Sequence, residues 1–338
     1  MRILGVETSC DETSAAVIEG NRVLSNVISS QSVHLQFGGV VPELASRAHL
    51  RKIIPIVEAA LEKSATRLTD LDGFAVTHGP GLIGALLVGV NYVKGLAAVW
   101  QKPFIGVNHI EGHVYSNFLG DSGVEFPFLC LLVSGGHTQI VIIDQHLSYR
   151  LIGKTRDDAV GEAFDKVAKL LGLPYPGGPQ IDRLARGGDE NYTDFPIGLS
   201  REKTFDFSYS GLKTAVLNYV NQTAPETLRA HMPDICAAFQ KAAVGALVER
   251  TIRAARTYQI RQITVAGGVA ANSYLRSQMS AAAEPYHIRV HFPEMQYCTD
   301  NAAMIARAGL ERLQRGYRSS LKLNAYPSLQ LGEEKNCE

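Results

Sequence analysis

Phe128-Leu129-Cys130-Leu131-Leu132-Val133-Ser134-Gly135-Gly136-His137-Thr138-Gln139-Ile140-Val141-Ile142-Ile143 reads as a buried strand, a tight polar turn and a second strand. A third strand follows over 149–152. The same plan stands at the N-terminus. An apolar run at 3–6 ends in Glu7-Thr8-Ser9-Cys10-Asp11-Glu12-Thr13-Ser14, a turn packed with hydroxyls and carboxylates. A run at 15–18, the Gly20-Asn21 turn and an alternating run over 22–28 complete it. A repeated strand–turn–strand–turn–strand unit predicts an internal duplication. Two such α/β lobes facing each other predict a nucleotide or phosphate held between the polar tips, because open α/β sheets take ligands beyond the carboxyl ends of their strands. Ser134-Gly135-Gly136 offers backbone N–H groups with no side chain in the way. The turn at 7–14 is either a plain polar hairpin tip or the facing half of that site. Asp11 and Glu12 are then its candidate acid–base groups.

Between the two copies, helical spacing covers 44–64, a strand 72–77, and a glycine-rich turn 78–84 opens a helix reaching residue 98. That turn either cradles an anion or permits close packing. A strand at 104–107 delivers Asn108-His109-Ile110-Glu111-Gly112-His113. Histidines four apart share one helix face, as a divalent transition metal requires of two ligands, or they are ordinary packing residues. The candidate third ligand is Asp300, in Cys298-Thr299-Asp300-Asn301. The zinc-protease motif places its glutamate directly after the first histidine. Here Glu111 stands one position later, turned by roughly 100° on the helix, so the metalloprotease reading loses its base.

After the second copy, residues 154–158 are expected to cap a helix ending near 171, with the rigid turn 174–179 next and Asp182 opening another helix. Residues 187–208 carry no period. A helical stretch spans 228–258 with an interruption near Pro233. A strand at 263–266 leads into Gly267-Gly268-Val269-Ala270-Ala271-Asn272 and a further helix, and a strand at 288–292 leads to Asp300-Asn301, which opens a helix over 302–313. Two basic clusters stand out, at 47–52 and at Arg307, Arg312, Arg315, Arg318 and Lys322. Each is a solvated face or a contact for RNA phosphates.

The chain has 338 residues, 46% of them hydrophobic and 20% charged, which fits two ordinary domains. Lys plus Arg and Asp plus Glu both number 33, so bulk charge does not drive nucleic-acid binding. Cys10, Cys130, Cys236, Cys298 and Cys337 show no Cys-x-x-Cys spacing and read as free thiols. No signal-peptide pattern opens the sequence, and no apolar run is read as long enough for a membrane span. The expected setting is cytoplasmic, with no membrane partner.

Taken together, the stretches 5–13, 38–47, 109–113, 133–138, 161–166, 175–179, 207–214, 267–272 and 298–301 resemble the tRNA N6-adenosine threonylcarbamoyltransferase family, formerly labelled O-sialoglycoprotein endopeptidases. The resemblance runs through nearly the whole chain and thins after about residue 320, and its size looks bacterial. It implies an α/β fold of two duplicated RNase H-like lobes of the actin/sugar-kinase/heat-shock ATPase type around a central cleft. The lobes are expected at 1–107 plus 301–338, and at 108–300, the latter carrying the metal and adenylate site. It implies transfer of threonylcarbamoyl from threonylcarbamoyl-AMP to N6 of adenosine 37 in tRNAs reading codons that begin with A. It implies one divalent metal per subunit, Fe2+ ahead of Zn2+, on His109, His113 and Asp300. Substrate contacts carry over to Leu132, Val133, Ser134, Gly135, Gly136, Asp165, Gly178, Asp182 and Asn272. It further implies an inactive paralogous subunit and a small ATPase subunit as partners. The rival reading is an ATP-binding ATPase or scaffold of the same fold, which would not need a His-His-Asp set.

Overall fold

In the computed structural model, which describes residues 1–31 and 39–333, β1 (Arg2–Glu7), β2 (Glu12–Glu19) and β3 (Arg22–Ser30) form the first meander. Helix α1 (Pro42–Lys63) leads to β4 (Gly73–Gly79), and α2 (Ile83–Trp100) leads to β5 (Phe104–Asn108). The sheet runs β3-β2-β1-β4-β5, with β1 antiparallel to β2 and parallel to β4. Alternation along β1 divides its side chains between two layers. Leu4 and Val6 join the apolar cluster of Ile53, Val57, Val90 and Val93 from α1 and α2. Gly5 faces the last helix of the chain, where a Cβ would collide with the Ala302 carbonyl. The glycine-rich turn is likewise shaped by packing: a Cβ on Gly79 would overlap the Tyr326 carbonyl, and the Gly81 and Leu82 amides donate to Pro327 and Ser9.

The second meander is β6 (Phe128–Val133), β7 (Thr138–Gln145) and β8 (Ser148–Lys154). Five helices follow: α4 (Val160–Leu170), α5 (Gly177–Ala185), α6 (Ser210–Gln222), α7 (Pro225–Ala230) and α8 (Met232–Thr257). Then come β9 (Gln262–Ala266), α9 (Ser273–Ala283) and β10 (Arg289–His291). Its sheet order, β10-β9-β6-β7-β8, repeats the first with β6 in the place of β1. The duplicated α/β plan is therefore present in full. The helical stretch expected over 228–258 is two helices, because His231 leaves helical geometry at φ −107°, ψ 19° and Pro233 opens the first turn of α8.

The chain divides into Met1–Gly123 with the segment from Pro293 onward, and Val124–Phe292. This moves both expected boundaries, from 107 to 123 and from 300 to 292. The reason is local. Helix α3 (His109–Tyr115) and the closing helix α10 (Ala302–Gln314) pack on each other, and α10 also packs on β1, β2, β4 and β5. His109, His113 and Asp300 thus all belong to the first unit, not to the second with the adenylate residues. Helix α2 is long and apolar enough, by length and composition, to cross a membrane, against the reading that no such run exists. Its buried stripe of Leu86, Val90 and Val93 packs toward β4. Cys10, Cys130 and Cys236 are free thiols, Cys298 Sγ donates to the Glu294 carbonyl at 3.6 Å, and Cys337 and Gly38 lie outside the described residues.

Candidate metal centre and glycine-lined site

His109 and His113 sit one turn apart on α3, held in place by what precedes it. Asn108 caps the helix, its Oδ1 accepting from Ile110 N at 2.8 Å and Glu111 N at 3.3 Å. Asn301 caps α10 in the same way, accepting from Met304 N at 3.1 Å. Ser14 Oγ accepts from Ala302 N at 2.9 Å, which ties the start of α10 to β2. Asp300 is thereby brought to the histidines. Its Oδ1 lies 3.5 Å from His109 Nε2 and 3.2 Å from His113 Nε2, and the two rings cross at 83° with centroids 4.7 Å apart.

Two observations test whether these donors suit a metal. His109 Nδ1 lies 3.1 Å from Glu7 Oε2 and 3.1 Å from Ser9 Oγ. Glu7 is buried, and burial pushes its carboxyl up. His109 beside it, together with a hydrogen bond from Thr77, outweighs that and holds the carboxyl below its ordinary value. An ionised carboxylate only accepts, so Nδ1 carries a proton, and Nε2 is the nitrogen left to bind a metal once its own proton is displaced. The second observation is His113. It is buried, and among the described residues neither of its nitrogens finds a partner in hydrogen-bond geometry, although Nε2 is 3.2 Å from Asp300 Oδ1. Distance and orientation disagree there. The two atoms are close enough to share a cation, but they do not meet in hydrogen-bond geometry. Donors about 2.1 Å from one ion stand roughly 3.0–3.4 Å apart at octahedral to tetrahedral angles, close to the separations observed. All three ligand atoms lie within 4.8 Å of one another. The residues fit a divalent metal.

Electrostatics agree. Burial lowers the affinity of His109 for a proton, but Asp300 and Glu7 overturn this and raise its pKa well above the ordinary imidazole value. Burial acts on Asp300 in the opposite sense and is overcome by the histidines, which hold its carboxyl far below the usual range. At the tip of the same hairpin, burial first and then the Asp300 and Asp11 carboxylates push Glu12 up to about 9. A set of donors with net negative charge is one a cation stabilises.

The residues expected to hold substrate all lie in the second unit, and short contacts link them into one series. Leu132 and Val133 end β6, and Ser134 Oγ accepts from His137 N at 3.1 Å. The Gly161 amide, in α4, donates to Ser134 O at 3.2 Å. Asp165, also in α4, accepts from Gly177 N at 2.7 Å and also from Gly178 N. Asp182 lies within α5 rather than at its start, and accepts from Ser273 Oγ at 2.8 Å. Asn272 caps α9, with its Oδ1 accepting from Leu275 N and its Nδ2 donating to Gln240 Oε1, both at 2.8 Å. A Cβ on Gly135 or Gly136 would meet nothing within 4 Å, and neither needs positive φ. Protein packing does not require glycine there, and the approach of a ligand to the backbone would.

Sequence reading missed several parts. Glu7 was read as one of many hairpin acids. Its role came only from a contact to His109, 102 positions away. The expected cap by residues 154–158 is not made: Ala159 is the N-cap of α4, and Thr138 Oγ1 accepts from Val160 N at 2.8 Å. Asp157 instead accepts from Tyr209 N at 2.7 Å, Ser210 N at 3.3 Å and Ser210 Oγ at 2.9 Å, at the start of α6. Asp157→Ala is therefore expected to destabilise the chain by about 1–2 kcal/mol, the value of a lost cap. Burial pushes the Asp157 carboxyl up, but hydrogen bonds from Ser208, Tyr209 and Ser210 hold it below its ordinary value. Its contribution is full above the ordinary carboxylate range and is lost as pH falls through the lowered value. Urea midpoints of wild type and variant should converge in acid; a constant gap across pH would sink the assignment.

The basic run of α10 needs correction at two positions. Arg307 and Arg312 are 6% and 4% exposed, neither solvated nor open to phosphate, and they pair with Glu311 and Glu111.

A family model described as "tRNA N6-adenosine threonylcarbamoyltransferase" matches residues 22–307. The chain is 53% identical over 334 residues to the protein of that name from Symbiobacterium thermophilum, covering 98% of this chain and 97% of the relative. It is 49% identical over 332 residues to that of Kosmotoga olearia, covering 98% and 99%. Among solved structures, full-length HypF in its phosphate- and nucleotide-bound form superposes with TM-score 0.62 at 14% identity, over 93% of this chain and 46% of HypF. Component A of the Acidaminococcus fermentans (R)-2-hydroxyglutaryl-CoA dehydratase superposes with TM-score 0.55 at 12% identity, over 93% and 99%. At such identities the likeness is one of fold.

Proposed function

The chain belongs to the tRNA N6-adenosine threonylcarbamoyltransferase family and is a transferase of tRNA modification; from that premise we propose the following reaction. Threonylcarbamoyl-AMP is the donor, and N6 of adenosine 37 in tRNAs reading codons that begin with A is the acceptor. N6 attacks the carbamoyl carbon, the carbon–oxygen bond to phosphate breaks, AMP leaves with that electron pair, and N6 loses a proton. The observation that carries the reading is the His109, His113 and Asp300 donor set, with His109 oriented by Glu7. A two-histidine, one-carboxylate set with room for further ligands suits Fe2+ well and Zn2+ also. When bound, the metal would supply a Lewis acid and a template for oxygens of the adenylate.

The remaining work is assigned to the chain's own groups. Backbone N–H groups of Ser134 to Gly136 hold phosphate charge at the end of β6. Asp165, Gly178, Asp182 and Asn272 shape the rest of that pocket, in part through the caps and ties described above. In the metal-free chain burial first, then the Asp300 and Asp11 carboxylates, push the Glu12 carboxyl up to about 9, which favours its protonated form. Acceptance of the N6 proton then falls to Asp11. The peptidase alternative loses its base twice over, since Glu111 is turned away and both of its oxygens accept from Arg312. The partners in this reading are tRNA, an inactive paralogous subunit and a small ATPase subunit, in the cytoplasm.

The test is a single-turnover assay with the partner subunits, unmodified tRNA and threonylcarbamoyl-AMP. Wild type should form threonylcarbamoyl-adenosine. His109→Ala should lose bound metal and at least about a hundredfold in rate. A folded, metal-loaded wild type that makes no product would move the reading to an ATP-binding protein of the same fold.

A further inference from the structure

Glu111 lies between the two metal-site histidines and takes no part in the ligand set. It is fully buried, and its partner, Arg312, is buried too. Arg312 Nε donates to Glu111 Oε1 at 2.6 Å and Arg312 Nη2 to Oε2 at 2.7 Å, a two-pronged pair between residues 201 positions apart. A buried ion pair of this kind seldom repays its own desolvation, and an apolar pair of similar volume often serves stability as well. Its use has to be sought in what it fixes.

Helix α3 has seven residues, too few to hold a conformation alone. Its roll about its own axis decides where both imidazoles point. At 100° per residue, Glu111 lies about 200° around the helix from His109, on the far side from the ligands. Gly112 lies against α10 between those faces, where a Cβ would come 2.6 Å from Ile305 Cδ1. The ligand face meets Asp300, just before α10 begins, while the opposite face is gripped by Arg312 near the end of α10. A roll of about 20° would move a nitrogen about 6 Å from the axis by about 2 Å. Metal sites tolerate only about 0.2 Å.

We propose that the Glu111–Arg312 pair is a positioning clamp that sets the roll of α3 and so makes the His109–His113–Asp300 set a tight metal site. The proposal rests on the metal reading above. Neither residue belongs to the three-donor set. Their effect is on ligand geometry.

The experiment measures Zn2+ and Co2+ binding to the purified full chain by competition with a chromophoric chelator, alongside melting of the metal-free protein. The double variant Glu111→Leu/Arg312→Met replaces the pair by apolar side chains. It should melt close to wild type yet bind Zn2+ about tenfold or more weakly, with an altered Co2+ visible spectrum. Arg312→Lys keeps the charge and gives up the fork. It serves where the double variant fails to fold, and should also weaken Zn2+ severalfold and change the Co2+ spectrum. Folded variants with wild-type Zn2+ affinity and an unchanged Co2+ spectrum would overturn the clamp while leaving the metal site standing. A wild type that binds neither ion, or binds them equally well as His113→Ala, would overturn the metal reading and the clamp with it.

Discussion

Asp300→Asn is expected to fold and to bind a divalent metal at least about a hundredfold more weakly than wild type, with transfer falling in step. The substitution keeps the volume of the side chain and removes its charge. Asp300 supplies the sole carboxylate of the three-donor set, and its Oδ1 lies 3.5 Å and 3.2 Å from the Nε2 nitrogens of His109 and His113. An amide oxygen is a weaker ligand and leaves the two imidazoles without a balancing charge. The consequence is visible without any assay of activity. A metal at one hundred times its dissociation constant stabilises the protein it binds by about 2.7 kcal/mol. Wild type should therefore melt higher with added Zn2+, and Asp300→Asn should not respond. The metal-free proteins give the second arm. The Asp300 carboxyl, held far below its usual range by the histidines once burial is overcome, stabilises the metal-free fold above the ordinary carboxylate pKa and loses that contribution as pH falls. The asparagine variant should show a flatter acid limb. If Zn2+ raises the melting temperature of both proteins equally, Asp300 is not a ligand.

The sequence displayed the duplication because strands and turns are local: runs at 3–6 and 128–133, each followed by a polar turn and two further runs, became β1 to β3 and β6 to β8. The histidine spacing was legible for the same reason, since helical period sits in a few residues, while Asp300, far downstream, was named only as a candidate third ligand. What stayed hidden depends on distance in the chain. Glu7 and His109 meet across 102 positions, Glu111 and Arg312 across 201. No periodicity encodes such a pairing. Arg312 looks like its neighbour Arg315 in sequence, yet its side chain is 5% exposed where that of Arg315 is 47%. The unit boundaries were misplaced for a related reason. Residue 108 looks like a natural break after a strand, but α3 belongs with α10, and only packing reveals which unit a short helix joins. Asp157 was assigned to the nearer helix, when the amides that needed it were those of α6, about fifty residues on.

The two acids of the first hairpin tip should separate under substitution. Asp11→Asn is expected to lower single-turnover transfer by about 10²–10⁴, the range for removal of a general base. Glu12→Gln should cost less than about tenfold. The distinction rests on which protons are already in place. In the metal-free chain burial, Asp300 and Asp11 push the Glu12 carboxyl up to about 9, which favours the form that donates a hydrogen bond to Asp11. Glutamine keeps the shape and a donor at that position. Asparagine at 11 keeps the shape and removes the acceptor of the N6 proton. Neither change should reduce bound metal, because the ligand atoms belong to His109, His113 and Asp300. Measuring metal content beside the rate thus separates loss of the base from loss of the site. Should Glu12→Gln be the crippled variant and Asp11→Asn the active one, the roles are exchanged and Glu12 must lose its proton in the working complex. Near-normal transfer by both variants, with saturating tRNA, would move the base out of this hairpin and leave AMP departure to carry the reaction without side-chain help at N6.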